Sequence, residues 1–325
     1  MLGPLEARIP DANRGQRLDQ ALAQLFPDFS RTRLKNWIEA GRVLVDGRAL
    51  RPKDVVGGGE IVHLSPVEEA VVELAPEPID LNVIHEDASI IVIDKPAGLV
   101  VHPGAGNPRS TLQNALLHRE PALAQLPRAG IVHRLDKETS GLLVVARTAS
   151  AHAKLTKLLA THDVERTYEA VAIGVMTAGG TIDAPIDRHP VDRLRMAVRV
   201  HGRAAITHYR VIERFRAHTH VRVELETGRT HQIRVHLAHA GFPLVGDALY
   251  GRRLVIPKAP TPRVEAALRG FHRQALHAAR LAFAHPVGGK RVEFAAPLPA
   301  DLVDLVGALS EDARSKRDAA AAARR

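Results

Sequence analysis

Asp136 lies in the polar loop His133 to Gly141, flanked by Arg134 and Lys137. The apolar pair Ile131 and Val132 leads into this loop. Leu142 to Val145 leads out of it, with the length and composition of a strand. A carboxylate among cations stays ionised. On a loop held between strands it can act as a nucleophile or stabilise positive charge. The same residues also suit an ordinary turn, because Asp, Thr and Ser bond their own backbone and Gly141 can close the loop.

A second candidate group sits at a corner. His220 to Glu226 alternates polar residues with Val221, Val223 and Leu225, the pattern of a half-buried strand. Thr227-Gly228 turns the chain, and Thr230 can cap a helix reaching Ala240, ended by Gly241 and Pro243. Arg229 therefore falls where free backbone N–H groups favour anions. It can pair with a carboxylate from another segment, or sit on the surface of a turn. Tyr168 lies in an alternating strand, Arg166 to Ala172, as a half-buried structural residue or a platform for a base. His231, His236 and His239 fall on the helix after Arg229, but no carboxylate accompanies them in the HExxH manner. The expectation is no metal site.

The composition fits this chemistry to a polyanion. Lys and Arg number 45 against 36 acids, a formal charge of +9, which favours nucleic acid over an anionic membrane. The 325 residues allow two domains, and 45% hydrophobic with 25% charged residues is a globular balance. No apolar run is long enough to span a bilayer, and MLGPLEARIP lacks the basic-then-apolar order of a signal peptide. The absence of Cys excludes disulfides and thiolate metal sites and suits a cytoplasmic protein. With three Tyr, one Trp and seven Phe, RNA binding by an array of aromatic platforms is excluded.

The elements that must carry these residues follow from periodicity. Residues 1–15 are an extension. Gln16 to Leu64 is a small αβ unit: Leu18, Leu22 and Leu25 mark one helix, which stops at Pro27. Ser30 can cap a second, Arg31 to Ala40, and Asp46-Gly47 signals a tight turn. Arg31, Arg33 and Lys35 open that second helix against its dipole, as a phosphate-facing surface or a solvated face. Residues 65–78 form an acidic, Pro-containing linker with Glu68, Glu69, Glu73 and Glu77. The larger domain runs over 79–300. It holds a strand at Ile90 to Ile93, a turn at Lys95-Pro96, helices over Thr111 to Leu117 and after Ser150, and a basic, turn-rich stretch with Arg188 and Arg195. A surface loop is expected over Arg252 to Gly270, a helix and turn over Arg273 to Pro286, and over 301–325 a tail that can form a fraying helix with a disordered Ala-rich, Arg-ended finish.

Two resemblances sharpen these expectations. Gln16-Arg17-Leu18-Asp19, Ser30 to Leu34, and Ile38 with Gly41, Val43, Val45 and Asp46-Gly47 resemble the S4 RNA-binding domain. His133-Arg134-Leu135-Asp136 with Thr139-Ser140-Gly141, Tyr168, Thr227 to Arg234, Arg273 to Ala278, and Lys95-Pro96 with Gly98 resemble the RluA family of pseudouridine synthases. The resemblance implies an α+β chain, an S4-like domain followed by a mixed, mainly antiparallel sheet with flanking helices. It implies isomerisation of uridine to pseudouridine without a cofactor, in a stem-loop of large-subunit ribosomal RNA. Asp136 falls on the family's catalytic acid, Tyr168 on its tyrosine and Arg229 on the arginine that pairs with the acid. Arg134 falls on a residue that fills the gap left by the extruded uridine. His133, Lys95, His231, Gln232 and Arg234 join Arg31, Arg33, Lys35, Arg188 and Arg195 as expected RNA contacts. No protein partner and no membrane are expected. The competing reading is a non-catalytic RNA-binding factor of ribosome assembly.

Overall fold

The computed structural model describes residues 3–29, 31–67, 75–104, 107–251 and 253–322. The chain divides into two compact units, Met1–Glu73 and Leu74–Arg325. Ser30, Glu68, Glu69 and Glu73 lie outside the described residues.

The first unit packs two helices on a three-stranded antiparallel sheet. Its elements are β1 (Leu5–Arg8), α1 (Leu18–Leu25), α2 (Arg31–Glu39), β2 (Val43–Val45) and β3 (Ile61–Leu64), in sheet order β1-β3-β2. Leu18, Leu22, Leu34, Trp37 and Ile38 close against Val43, Val62 and Leu64 in one apolar core. The helical period of the first five and the strand alternation of the rest require that arrangement.

The second unit is built on a nine-stranded sheet, in chain order β4 (Asn82–Glu86), β5 (Ile90–Lys95), α3 (Leu112–Arg119), β6 (Ser140–Ala146), α4 (Ala149–Ala160), β7 (Glu165–Ile173) and β8 (Gly180–Asp183). A two-stranded hairpin follows, β9 (Ile186–Arg188) with β10 (Met196–Val198), then β11 (Ile206–Arg214), β12 (His218–Leu225) and α5 (Gln232–His239). The chain ends with α6 (Pro262–Gly270), β13 (Leu276–Ala284), β14 (Arg291–Ala295) and α7 (Ala300–Ala322). The sheet order is β4-β5-β6-β13-β7-β12-β11-β8, with β14 on β13; only β6 and β13 pair in parallel. Leu143, Val145, Tyr168 and Ala170 face one core with Leu112 and Ile233; Leu142 and Val144 face another with Ala151 and Leu155. Burial on both faces explains why β6 reads as an unbroken apolar run.

Register sets up the site. Gly141 pairs with Ala278, Ala278 with Tyr168, and Tyr168 with Val223, a row across four neighbouring strands. The loop ending at β6 is thereby laid beside Tyr168. Gly141 has φ 111°, and a Cβ there would strike the Ala278 backbone. Gly130 has φ 80°, and its Cβ would strike the Ala146 carbonyl. These two glycines pin both ends of the Asp136 loop where side chains do not fit.

Several expectations are corrected. The stretch after Arg273 is the central strand β13, because pairing with β6 and β7 overrides the helix preference of an Ala-rich sequence. The Pro-rich segment contains α6, with Pro262 in its first turn and Thr261 accepting from the Val264 amide. The helix allowed for in the tail forms as the long α7, and it packs instead of fraying over its first turns: Leu302, Leu305, Ala308 and Leu309 lie against Val264 and Leu268 of α6. Thr148, not Ser150, caps α4. Glu77 is no free spacer residue, since its carboxylate accepts from the Ser110 amide and hydroxyl. Among the described residues no helix is long and apolar enough to cross a membrane.

Candidate active site

The second unit contains a cleft of about 550 Å³. Among the described residues, its walls carry six arginines (Arg128, Arg134, Arg166, Arg203, Arg229, Arg234) and a single acid, Asp136. Six cations around one carboxylate suit a phosphodiester backbone with a reactive acid at the centre.

Asp136 is held from several sides. Its carbonyl accepts from the Thr139 amide at 3.1 Å, closing the loop as a turn. The Lys137 carbonyl accepts from Gly98 at 2.9 Å and from Lys95 Nζ at 3.0 Å. The Glu138 carbonyl accepts from Arg273, and Thr139 Oγ1 accepts from Gln274 at 3.1 Å. His133 Nε2 accepts from the Val144 amide at 3.1 Å, tying the loop to β6. Burial, aided by Arg166, pushes His133 down to about 3, so its ring is neutral and free to accept.

The carboxylate of Asp136 pairs with Arg234, whose Nη1 donates to Oδ2 at 2.8 Å. The same guanidinium donates from Nε and Nη2 to Asp247 at 2.7 and 2.9 Å. The Asp247 side chain is fully buried and also accepts from the Leu249 and Tyr250 amides. Burial alone would raise the Asp247 carboxyl; Arg234 and those two amides outweigh it and hold it below its ordinary value. Burial likewise works against the Arg234 charge, but the two aspartates overcome it and hold the proton more tightly than usual. One arginine thus bridges two acids, an arrangement its forked, planar donor set allows.

This corrects the sequence reading of Arg229. Arg229 does line the cleft, but its Nε donates to the Ala204 carbonyl at 3.0 Å. The acid's partner is Arg234, five residues later and inside α5. Arg234 was assigned to RNA contact, yet it is 5% exposed. Gln232 is 3% exposed and bonds Thr227, the Arg229 amide, the Ile206 carbonyl and Thr207. It fixes the corner instead of reading RNA. Lys95 is also corrected: it is fully buried, and its Nζ donates to the Pro96, Leu99 and Lys137 carbonyls. Burial depresses it to about 8 against the pull of Glu138 and Asp136. Lys95→Met would leave three carbonyls short of a donor beside the Asp136 loop. The expected cost is ~2–4 kcal/mol, read by thermal unfolding, with a matching loss of turnover from a misplaced acid.

The other expected contacts divide. Arg134 is exposed at the cleft. Tyr168 is 7% exposed and lines the cleft from β7. Its hydroxyl is pushed up by burial and further by Asp136, with Arg166 opposing. His231 approaches Asp136 Oδ1 at 3.8 Å. His236 uses both ring nitrogens, on Thr207 and the Ala184 carbonyl, and no cluster of metal-binding side chains occurs among the described residues. Arg188 is exposed on the hairpin, while Arg195 is half-buried over the Tyr250 ring at 5.4 Å. In the first unit Arg31 is bound to Asp19 at 2.6 Å and Lys35 lies 3.5 Å from Glu39. Arg33 covers Trp37 at 4.7 Å and donates to the Val67 carbonyl. All three thus have partners within their own unit, and the Arg31 and Lys35 side chains remain about half exposed. Sequence reasoning missed Asp247 and Tyr250 as parts of the site.

Comparison with known proteins bears on the fold and the family. A family model described as RNA pseudouridylate synthase matches residues 89–239, and one described as S4 domain matches 16–62. The solved structure of human RNA pseudouridylate synthase domain containing 4 superposes with a TM-score of 0.55 at 26% identity, over 70% of this chain and 93% of that one. The chain belongs to the RNA pseudouridine synthase family. It is 58% identical to the ribosomal large subunit pseudouridine synthase D of Xanthomonas campestris pv. campestris over 94% of this chain and 93% of the relative. It is 52% identical to the protein of that name from Escherichia coli K12, over 97% of each.

Proposed function

We infer that this chain isomerises a uridine to pseudouridine within a stem-loop of large-subunit ribosomal RNA, as a cytoplasmic enzyme of ribosome biogenesis. The observation that carries this reading is the Asp136–Arg234 pair at the heart of an arginine-lined cleft. The relatives named above extend it to the ribosomal substrate.

The target nucleotide must first leave its stack, at a cost of a few kcal/mol. Arg134, exposed beside Asp136, fills the vacated space. Arg234 holds Oδ2 of Asp136, which leaves Oδ1 to act on the ribose, by attack at C1′ or by removal of a proton from C2′. Either route cleaves the bond between C1′ and N1. The uracil turns over, C5 bonds to C1′, the C5 proton is lost and N1 gains a proton. Nothing is oxidised and no phosphate moves, so the chain's own residues suffice for the bookkeeping of atoms. Tyr168 contributes its ring face to the uracil; burial keeps its hydroxyl protonated, which disfavours a phenolate role. The S4-like unit adds affinity for folded RNA. A purely structural RNA-binding role would leave the acid among six arginines without a purpose.

The test is tritium release from large-subunit ribosomal RNA transcripts carrying 5-tritiated uridine. Release is expected, and it should persist with EDTA present. Release from transfer RNA alone would overturn the substrate, and release from neither RNA would overturn the reaction.

A further inference from the structure

His231 occupies the N-cap of α5 with φ 57° and makes no capping bond with its side chain. A left-handed backbone at a residue with a Cβ is strained, and the usual return for an N-cap, a bond to a helix amide, is missing. What the strained position supplies instead is a ring lodged between Tyr250 and Asp136. Nδ1 lies 2.7 Å from Tyr250 Oη, and Nε2 lies 3.8 Å from Asp136 Oδ1.

The proton positions follow from the partners. Tyr250 Oη already accepts from the Met196 amide at 2.7 Å. A phenol has one proton to give. Among the described residues its recorded acceptor is His231 Nδ1, so the O–H points there. Burial raises the Tyr250 hydroxyl, which keeps that donor protonated. With Nδ1 accepting, a neutral His231 must carry its own proton on Nε2, the nitrogen facing Asp136. Burial favours this neutral form, against the pull of Asp136. Tyr250 in turn is fixed by the hairpin: Met196 belongs to β10, and the Arg195 guanidinium lies over the phenol ring at 5.4 Å.

We propose that His231 is a positioning residue for Asp136, its Nε2–H tautomer set by Tyr250, donating to Oδ1 as the cleft closes on RNA. Arg234 holds one oxygen of the acid and His231 aims the other. The 3.8 Å separation is a contact that shortens once substrate enters, as such bonds commonly do. Because Tyr250 hangs from the hairpin, RNA bound along that hairpin and the aim of the acid become linked. This proposal rests on the reading of Asp136 as the acting group.

Two measurements on the full chain test it. Nitrogen-15 spectra of the histidine rings, assigned by loss of one signal in His231→Gln, should show the proton on Nε2 in the parent and a mixture in Tyr250→Phe. A proton on Nδ1 in the parent overturns the proposal. Single-turnover tritium release should fall ~10–100-fold in His231→Met with RNA affinity unchanged, and recover to within ~3-fold of the parent in His231→Gln, which keeps an N–H at that reach. Asp136→Asn runs beside them. If it is inactive while His231→Met turns over at the parental rate, the proposal falls and the reading of Asp136 stands. If Asp136→Asn turns over, both fall.

Discussion

Asp136→Asn will release no measurable tritium from ribosomal RNA, a loss of at least ~10⁴ in single-turnover rate, while binding that RNA as well as the parent or slightly better. The substitution keeps the shape of the side chain and an oxygen for Arg234 Nη1, so the loop and its hydrogen bonds to Gly98, Lys95, Arg273, Gln274 and Val144 remain. What it removes is the electron pair that must act on the sugar: an amide oxygen neither attacks C1′ nor takes a proton from C2′ at a useful rate. The expected stability change is small, ~1 kcal/mol, because Arg234 still has Asp247 and Asp136 is partly open to water. Affinity should hold or rise, since a negative group set among six arginines is gone. Filter binding or fluorescence anisotropy at fixed salt separates the two effects. Retained turnover would remove Asp136 from the chemistry, however well the variant binds.

Much of this was legible before any coordinates. The Asp136 loop announced itself by an acid between cations and two strand-like flanks, and the strand alternation around Tyr168 placed that residue on a buried face. What stayed hidden was set by tertiary partners. Arg229 and Arg234 are the same residue type and five residues apart. Free backbone N–H groups at the corner single out Arg229 and say nothing of side chains reaching in from α5. Residue 234 lies one turn into α5, and helix side chains lean back toward the N-terminus, so its guanidinium reaches the corner from within. Its second partner, Asp247, is thirteen residues on and gave no local sign. Lys95 misled for a related reason: a Lys-Pro turn reads as surface, and only the packing of two loops encloses it in three carbonyls. The tail was the opposite case. A helix is legible in the sequence there, whereas the burial of Leu302, Leu305 and Leu309 depends on α6, a partner outside the tail.

Arg234→Ala will be the most destabilising substitution in the site. It strands the fully buried Asp247 carboxylate and frees Asp136 in a single step. Removing one partner of a buried ion pair costs ~3–5 kcal/mol, far more than the pair contributes relative to an apolar substitute. The sign of the pH dependence should reverse locally. In the parent, Asp247 sits below its ordinary value, so its contribution is present above that value and lost as pH falls through the folded one. Without Arg234, burial dominates and pushes the Asp247 carboxyl up. The variant is then weakest at neutral pH and regains part of the deficit on mild acidification, as the buried acid takes up a proton. Arg234→Lys keeps the charge but not the fork. It can serve one acid at a time, so turnover should fall ~10–100-fold with a smaller loss of stability. Arg229→Ala should weaken RNA binding, as it removes one of the six cleft arginines, but leave the single-turnover rate at saturating RNA within ~3-fold of the parent, because its own Nε bond goes to the Ala204 carbonyl and not to the acid. Thermal unfolding between pH 5 and 8, read beside single-turnover rates, distinguishes these outcomes. If Arg229→Ala lost the activity and Arg234→Ala kept it, the assignment of the acid's partner would be reversed.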